Sequence, residues 1–182
     1  MHTQNQVKPH ATRICILSTS PSSASQSRAV AQMALTALKS VSDLEVDFID
    51  LKEVPIDLYP GQSECAPREE LVRRFNAADG WIMAGPVYNG GPSAHLTNFL
   101  HYALGADNRI GRPFLLIAGA GGGGSVFAFD GLGAQIRREV KGIEVGTPIL
   151  VSGDLQTVEA RLLALLELFV PVARVCAERT AT

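Results

Sequence analysis

Two rhythms of apolar residues alternate along this chain. Short runs rich in β-forming residues are followed, again and again, by stretches with apolar positions three and four apart. The first run, Arg13 to Ser18 (RICILS), stops at a segment of small hydroxyl residues. Helical spacing begins near Ser25 and lasts to Ser40, with Ala29, Val30, Met33, Leu35, Ala37 and Leu38 on its apolar side. Leu44 to Leu51 alternates as a strand, Arg68 to Ala77 reads as a helix, and Gly80 to Gly85 (GWIMAG) as a third strand. A helix over Ala94 to Leu104 and a strand over Pro113 to Ala118 come next, then a helix from about Leu132 to Lys141. A fifth strand is expected near Val145 to Val151, interrupted by Pro148. The last helix starts after Asp154, a residue suited to an N-cap, and reaches about Glu178, with Pro171 expected to kink or split it.

Five strands alternating with five helices, without an internal repeat, specify an α/β fold with a parallel sheet covered on both faces. Ligands of such sheets lie beyond the carboxyl ends of the strands, at a switch point. Three unusual loops follow the first, third and fourth strands. In a strand order of 2-1-3-4-5 those strands are neighbours, and the loops form one rim.

Composition narrows the class. The chain has 182 residues, 46% of them hydrophobic and 19% charged, as in an ordinary globular domain. Residues 13–182 are expected to form a single domain behind a disordered, polar tail at 1–12. A net charge of −2 offers no basic field for nucleic acid. The three cysteines, Cys15, Cys65 and Cys176, show no metal-type spacing, and Cys15 falls in the first apolar run. The first residues carry no apolar signal segment, and Leu162 to Val175 is broken by Glu167, Pro171 and Arg174, so neither export nor a membrane span is expected. The expected location is the cytoplasm. His95 and His101 lie six apart, on different faces of a helix, and are not expected to bind metal.

The first loop, Ser18 to Arg28 (STSPSSASQSR), joins a buried strand to a helix N-terminus. Its hydroxyls and amides, with the positive end of the helix dipole, suit a single phosphate, each bond to an ionised acceptor being worth about 1.5–3 kcal/mol. The nucleotide-hydrolysing signature GxxxxGK followed by Ser or Thr is missing. In the second loop, Pro86-Val87-Tyr88-Asn89-Gly90-Gly91-Pro92, prolines and glycines frame an aromatic ring and an amide. Exposed amides there suit the polar edge of a flat heterocycle, and Tyr88 offers a packing surface. The third loop, Gly119 to Gly124, matches GxGxxG formally, but it follows the fourth strand instead of the first. A glycine run at that place lets backbone approach a planar ligand. A long connection, residues 53–67, holds three prolines and one glycine and is of a length usually functional or mobile.

Taken in order, these loops resemble the NADPH-dependent FMN reductase family of flavodoxin-like proteins. The family's first loop reads roughly G-S-x-R-x-x-S-x-N. Ser20, Ser25 and Ser27 fall on its serine, second serine and asparagine, with Thr19 in place of glycine and Ser22 in place of arginine. The second signature, P-x-Y-N and later L-K-x-x-x-D, is met by Pro86, Val87, Tyr88, Asn89 and Leu96; Thr97 and His101 stand where lysine and aspartate are common. Gly121 to Gly124 is similar to the family's glycine-rich loop beside the flavin ring.

The resemblance implies a flavodoxin-like three-layer sandwich that binds FMN and takes hydride from NAD(P)H as co-substrate. The electrons go on to free flavin, a quinone or another small acceptor. It implies a homodimer or homotetramer. On this reading the phosphate contacts are Ser18, Ser20, Ser25, Gln26 and Ser27. The ring lies over Pro86, Val87, Tyr88, Asn89 and Gly90, with Gly121, Gly122, Gly123 and Gly124 near its pyrimidine edge. No side chain is assigned a catalytic role, because the flavin carries the chemistry. A flavodoxin-like electron carrier and a non-flavin α/β binding module remain open at this stage.

Overall fold

A computed structural model describes residues 11–54, 56–60, 66–104, 110–119 and 126–180. Strand β1 (Thr12–Ser18) leads through the serine loop to helix α1 (Gln26–Lys39) and strand β2 (Leu44–Asp50). Helix α2 (Ala66–Asn76), strand β3 (Gly80–Tyr88), the two-residue β4 (Gly91–Pro92) and helix α3 (Ala94–Ala103) follow. The chain continues through β5 (Pro113–Gly119), α4 (Val126–Val140), β6 (Ile143–Glu144) and β7 (Ile149–Val151) to α5 (Leu155–Thr180).

The strand path is β2-β1-β3-β5-β6, with β4 paired to β3 and β7 paired to β5. This corrects the expected five-stranded 2-1-3-4-5 sheet: the sheet has seven strands. Of the strand expected near Val145 to Val151 only β7 is formed; a second short piece parallel to β5, β6, precedes that range, and between the two stand Gly146 at a positive φ of 71° and Pro148, which has no N–H to offer a ladder. The remaining addition, β4, is the returning arm of a hairpin and runs antiparallel to β3.

Alternation along the parallel strands feeds two separate cores, as a sheet buried on both faces requires. Cys15, Leu17, Trp81, Met83, Phe114 and Leu116 meet residues of α2, α3 and α4, including Phe75, Phe99 and Phe129. Ile14, Ile16, Ile82, Leu115 and Ile117 meet α1 and α5 on the other face, including Val30, Leu162 and Phe169. Phe75 stacks on Trp81 at 4.9 Å between ring centroids and meets Phe99 edge-on at 5.3 Å. Burial of Cys15 among these side chains, with Asp47 nearby, pushes its thiol pKa up, so it stays protonated and inert.

Two helices differ from expectation. Helix α4 begins at Val126, six residues before Leu132, and takes in Gly131 and Gly133. Helix α5 is continuous through Pro171, with buried Phe169, Val170 and Ala173 holding it to the sheet while Pro171 faces solvent. The lost N–H is therefore on the wet side. Leu162, Leu166 and Phe169 are core, whereas Leu163 is exposed and Leu165 half-buried. At the other end of the chain Thr12 already belongs to β1; the rest of the expected tail, except residue 11, lies outside the described residues. None of the helices among the described residues is long and apolar enough to cross a membrane.

The long connection after β2 is partly pinned. Asn98 of α3 accepts from the Tyr59 amide at 2.8 Å and donates to the Asp57 carbonyl at 2.9 Å. The Tyr102 hydroxyl donates to the Leu58 carbonyl at 2.9 Å, and Arg68 donates to the Asp57 carboxylate at 2.8 Å. Residues 55 and 61–65 of this connection, Cys65 included, lie outside the described residues.

Truncating Phe99 tests the first core: Phe99→Ala is expected to lower the unfolding free energy by about 3–5 kcal/mol in urea titrations.

Candidate functional site

Parallel pairing puts the carboxyl ends of β2, β1, β3 and β5 along one edge, with Ser18 level with Asp50 and Ala84, and Pro86 level with Gly119. The serine loop leaves β1 there. Thr19 is buried; its amide donates to the Ala84 carbonyl at 2.9 Å and its hydroxyl to the same oxygen at 3.1 Å. The Thr19 hydroxyl also lies 3.1 Å from the hydroxyl of Ser93, which caps α3 by accepting from the Leu96 amide. These contacts tie the first loop to the second. A Cβ on Gly85 would stand 2.4 Å from Thr19 Oγ1, so the glycine is what makes room for the threonine.

The loop is shaped by its own hydroxyls. The Ser22 amide donates to Ser20 Oγ at 3.3 Å, and the Ala24 amide to Ser22 Oγ at 3.2 Å. Ser25 is the N-cap of α1, accepting from the Arg28 amide at 3.1 Å. Its hydroxyl is 3.0 Å from that of Ser27. Two hydroxyl protons serve this pair and one suffices to join them, which leaves the other to donate outward. The amides of Gln26 and Ser27, in the first turn, have no carbonyl partner within the helix. Ser27 lies against the end of β5, where a Cβ on Gly119 would come within 3.0 Å of Ser27 Cβ. Ser18 is wholly buried, and its hydroxyl is an orphan polar atom under the loop.

In the second loop Asn89 and Gly90 have φ of 51° and 75°, with Val87 opposite Pro92 and Tyr88 opposite Gly91. Positive φ at both central residues is what a tight type I′ hairpin requires, and Asn-Gly is the pair that tolerates it. Pro86 is buried, Val87 half-buried, and Tyr88, Asn89 and Gly90 project from the edge. The third loop starts from Gly119, beside Ser27; Gly121, Gly122, Gly123 and Gly124 lie outside the described residues.

The structure thus brings the serine loop and the Tyr88 hairpin to one rim. Unpaired amides and a hydroxyl at a helix N-terminus suit a phosphate monoester, and a stiff hairpin with an exposed aromatic suits a flat ring. Among the described residues no cluster of His, Cys, Asp and Glu could hold a metal. His101 instead meets the Tyr59 ring edge-on at 5.4 Å between centroids.

Comparison with known proteins places the chain in a family. The family model described as NADPH-dependent FMN reductase matches residues 12–154, most of the chain. The chain belongs to this family. As an NADPH-dependent FMN reductase family member it is an NAD(P)H-dependent flavin oxidoreductase, with FMN as cofactor and a nicotinamide as co-substrate.

Solved structures agree on the fold of this family member. An apo NADH:FMN oxidoreductase superposes with a TM-score of 0.73 at 24% identity, over 87% of this chain and 88% of that one. Flavodoxin 1 from Bacillus cereus gives 0.66 at 14% identity, covering 88% and 98%. An FMN-dependent NADH-azoreductase from Bacillus anthracis, in complex with FMN, gives 0.63 at 14% identity, covering 94% and 100%.

Thr19, Ser93, Arg28 and Asp50 support the rim without having been singled out as site residues. For Arg28 the sequence carries a signal. A cation in the first turn opposes the helix dipole and calls for a partner, and Asp50 ends the adjacent strand. Thr19 and Gly85 give no such signal, since their complementarity exists only across two strands.

Overfilling the rim is expected to be costly. Gly85→Ala should lose about 1–3 kcal/mol of stability, and adding Thr19→Ala should recover part of it by removing the colliding oxygen, as a double-mutant cycle in urea would measure.

Proposed function

We propose that residues 13–182 form one FMN-binding domain whose serine loop holds the cofactor's phosphate and whose Tyr88 hairpin carries its ring. What supports this is the junction of the two loops through Thr19, which places the N-terminus of α1 and the hairpin on one rim. The phosphate contacts are the amides of Gln26 and Ser27 and a hydroxyl of the Ser25–Ser27 pair, with Ser20 holding the turn and Ser18 beneath it. Pro86, Val87, Tyr88, Asn89 and Gly90 support one face of the ring.

Bound FMN supplies the capacity to accept a hydride from NAD(P)H and pass electrons to a small acceptor, a free flavin or a quinone. The chain's own residues bind and orient. Helix-dipole and amide donors neutralise the phosphate without a lysine. The tight two-residue hairpin limits the shapes the ring platform can take. The protein acts as a cytoplasmic homodimer or homotetramer.

Purified protein should be yellow, or become so with FMN, and should oxidise NAD(P)H in the presence of a flavin or quinone. FMN binding with no NAD(P)H turnover would make it an electron carrier, and a colourless protein that ignores FMN would remove the reading altogether. The pair Ser25→Gly and Ser27→Ala, which removes both hydroxyls of the Ser25–Ser27 pair, should weaken FMN binding by about 1.5–3 kcal/mol in a flavin-fluorescence titration. Glycine is chosen at 25 because it preserves most of the cap energy. An unchanged titration would dismiss the phosphate assignment.

A further inference from the structure

Arg28 is a buried cation in the first turn of α1, where the dipole disfavours it. Its Nε donates to one oxygen of Asp50 at 2.6 Å and an Nη to the other at 3.1 Å. The remaining bonds go to the carbonyls of Ser22 and Ser20. One side chain therefore joins the end of β2 to two successive bends of the serine loop.

We propose that Arg28, held by Asp50, is a positioning residue that sets the serine loop for a phosphate monoester. A trans peptide fixes its N–H opposite its C=O. With the guanidinium on the Ser22 carbonyl, the Ser23 amide must point the other way, away from the interior and toward the exposed side of the loop. The carbonyl of Ser20 belongs to a Ser-Pro peptide, which has no N–H, so tying it down removes no donor from the ligand's side. The amides of Ser22 and Ala24 are already engaged by neighbouring hydroxyls. Of the amides that remain, Ser23, Gln26 and Ser27 are the three that the arginine's grip on the Ser22 carbonyl and the first turn of α1 aim outward. Asp50 cancels the arginine's charge, so the seat attracts an anion through aimed dipoles and not through net charge.

This inference rests on the serine loop being the phosphate seat, and the experiment separates the two. Dissociation constants for FMN and for riboflavin, which lacks the phosphate, are measured by fluorescence quenching on wild type, Arg28→Lys, and the pair Arg28→Met with Asp50→Leu. The paired change removes both buried charges together and so spares the fold; circular dichroism verifies this. Wild type should prefer FMN. Each variant should lose about ten- to hundredfold of that preference while riboflavin affinity stays within about twofold. Variants that keep the wild-type preference, or that weaken both ligands equally, would overturn the positioning role. A wild type that binds both alike would overturn the phosphate seat itself, and the proposal with it.

Discussion

A parallel sheet covered on both faces leaves little room for polar chemistry except at its two edges. In this chain the restriction is severe, because β1, β3 and β5 bury nearly every side chain they carry. Parallel pairing also brings all their carboxyl ends to one edge. The serine loop that leaves Ser18 and the hairpin that leaves Tyr88 are thereby brought to the same edge. The rim follows from strand direction before any residue in it is considered.

Much of this was legible in the amino-acid sequence, for a reason that can be named. Apolar runs such as those at 13–18 and 113–118 are too short for helices and too continuous for half-exposed strands, so they read as buried parallel strands. The loops between them stand out through serine and glycine. What stayed hidden depends on contacts across strands. The fifth strand was placed, but its confinement to β7, beyond Gly146 and Pro148, is a matter of ladder geometry. The early start of α4 overrode two glycines through tertiary packing, and the intact α5 overrode a proline in the same way. Phe169, Val170 and Ala173 hold that helix on the sheet whatever its local preference.

Electrostatics in the serine loop differ from what its composition suggests. The serine at position 22, where the family commonly has an arginine, gives the impression of a seat without a cation. The structure puts one underneath, on α1, and neutralises it with Asp50. A buried pair of this kind adds little net stability by itself. Its contribution is conformational: the guanidinium grips Asp50 at the end of β2 with two donors and also bonds the Ser20 and Ser22 carbonyls, and few loop shapes satisfy all of these contacts.

The hydroxyl contact between Thr19 and Ser93 has a mechanical meaning. Ser93 caps the helix that the hairpin feeds into, while Thr19 roots the serine loop, so the two ends of the rim share a hinge pin. A ligand gripped at its tail would stiffen the platform under its head, and a displaced head would loosen the grip on the tail. Affinity for a molecule carrying both parts should then exceed what the separate fragments suggest, because the protein is ordered once for the two of them.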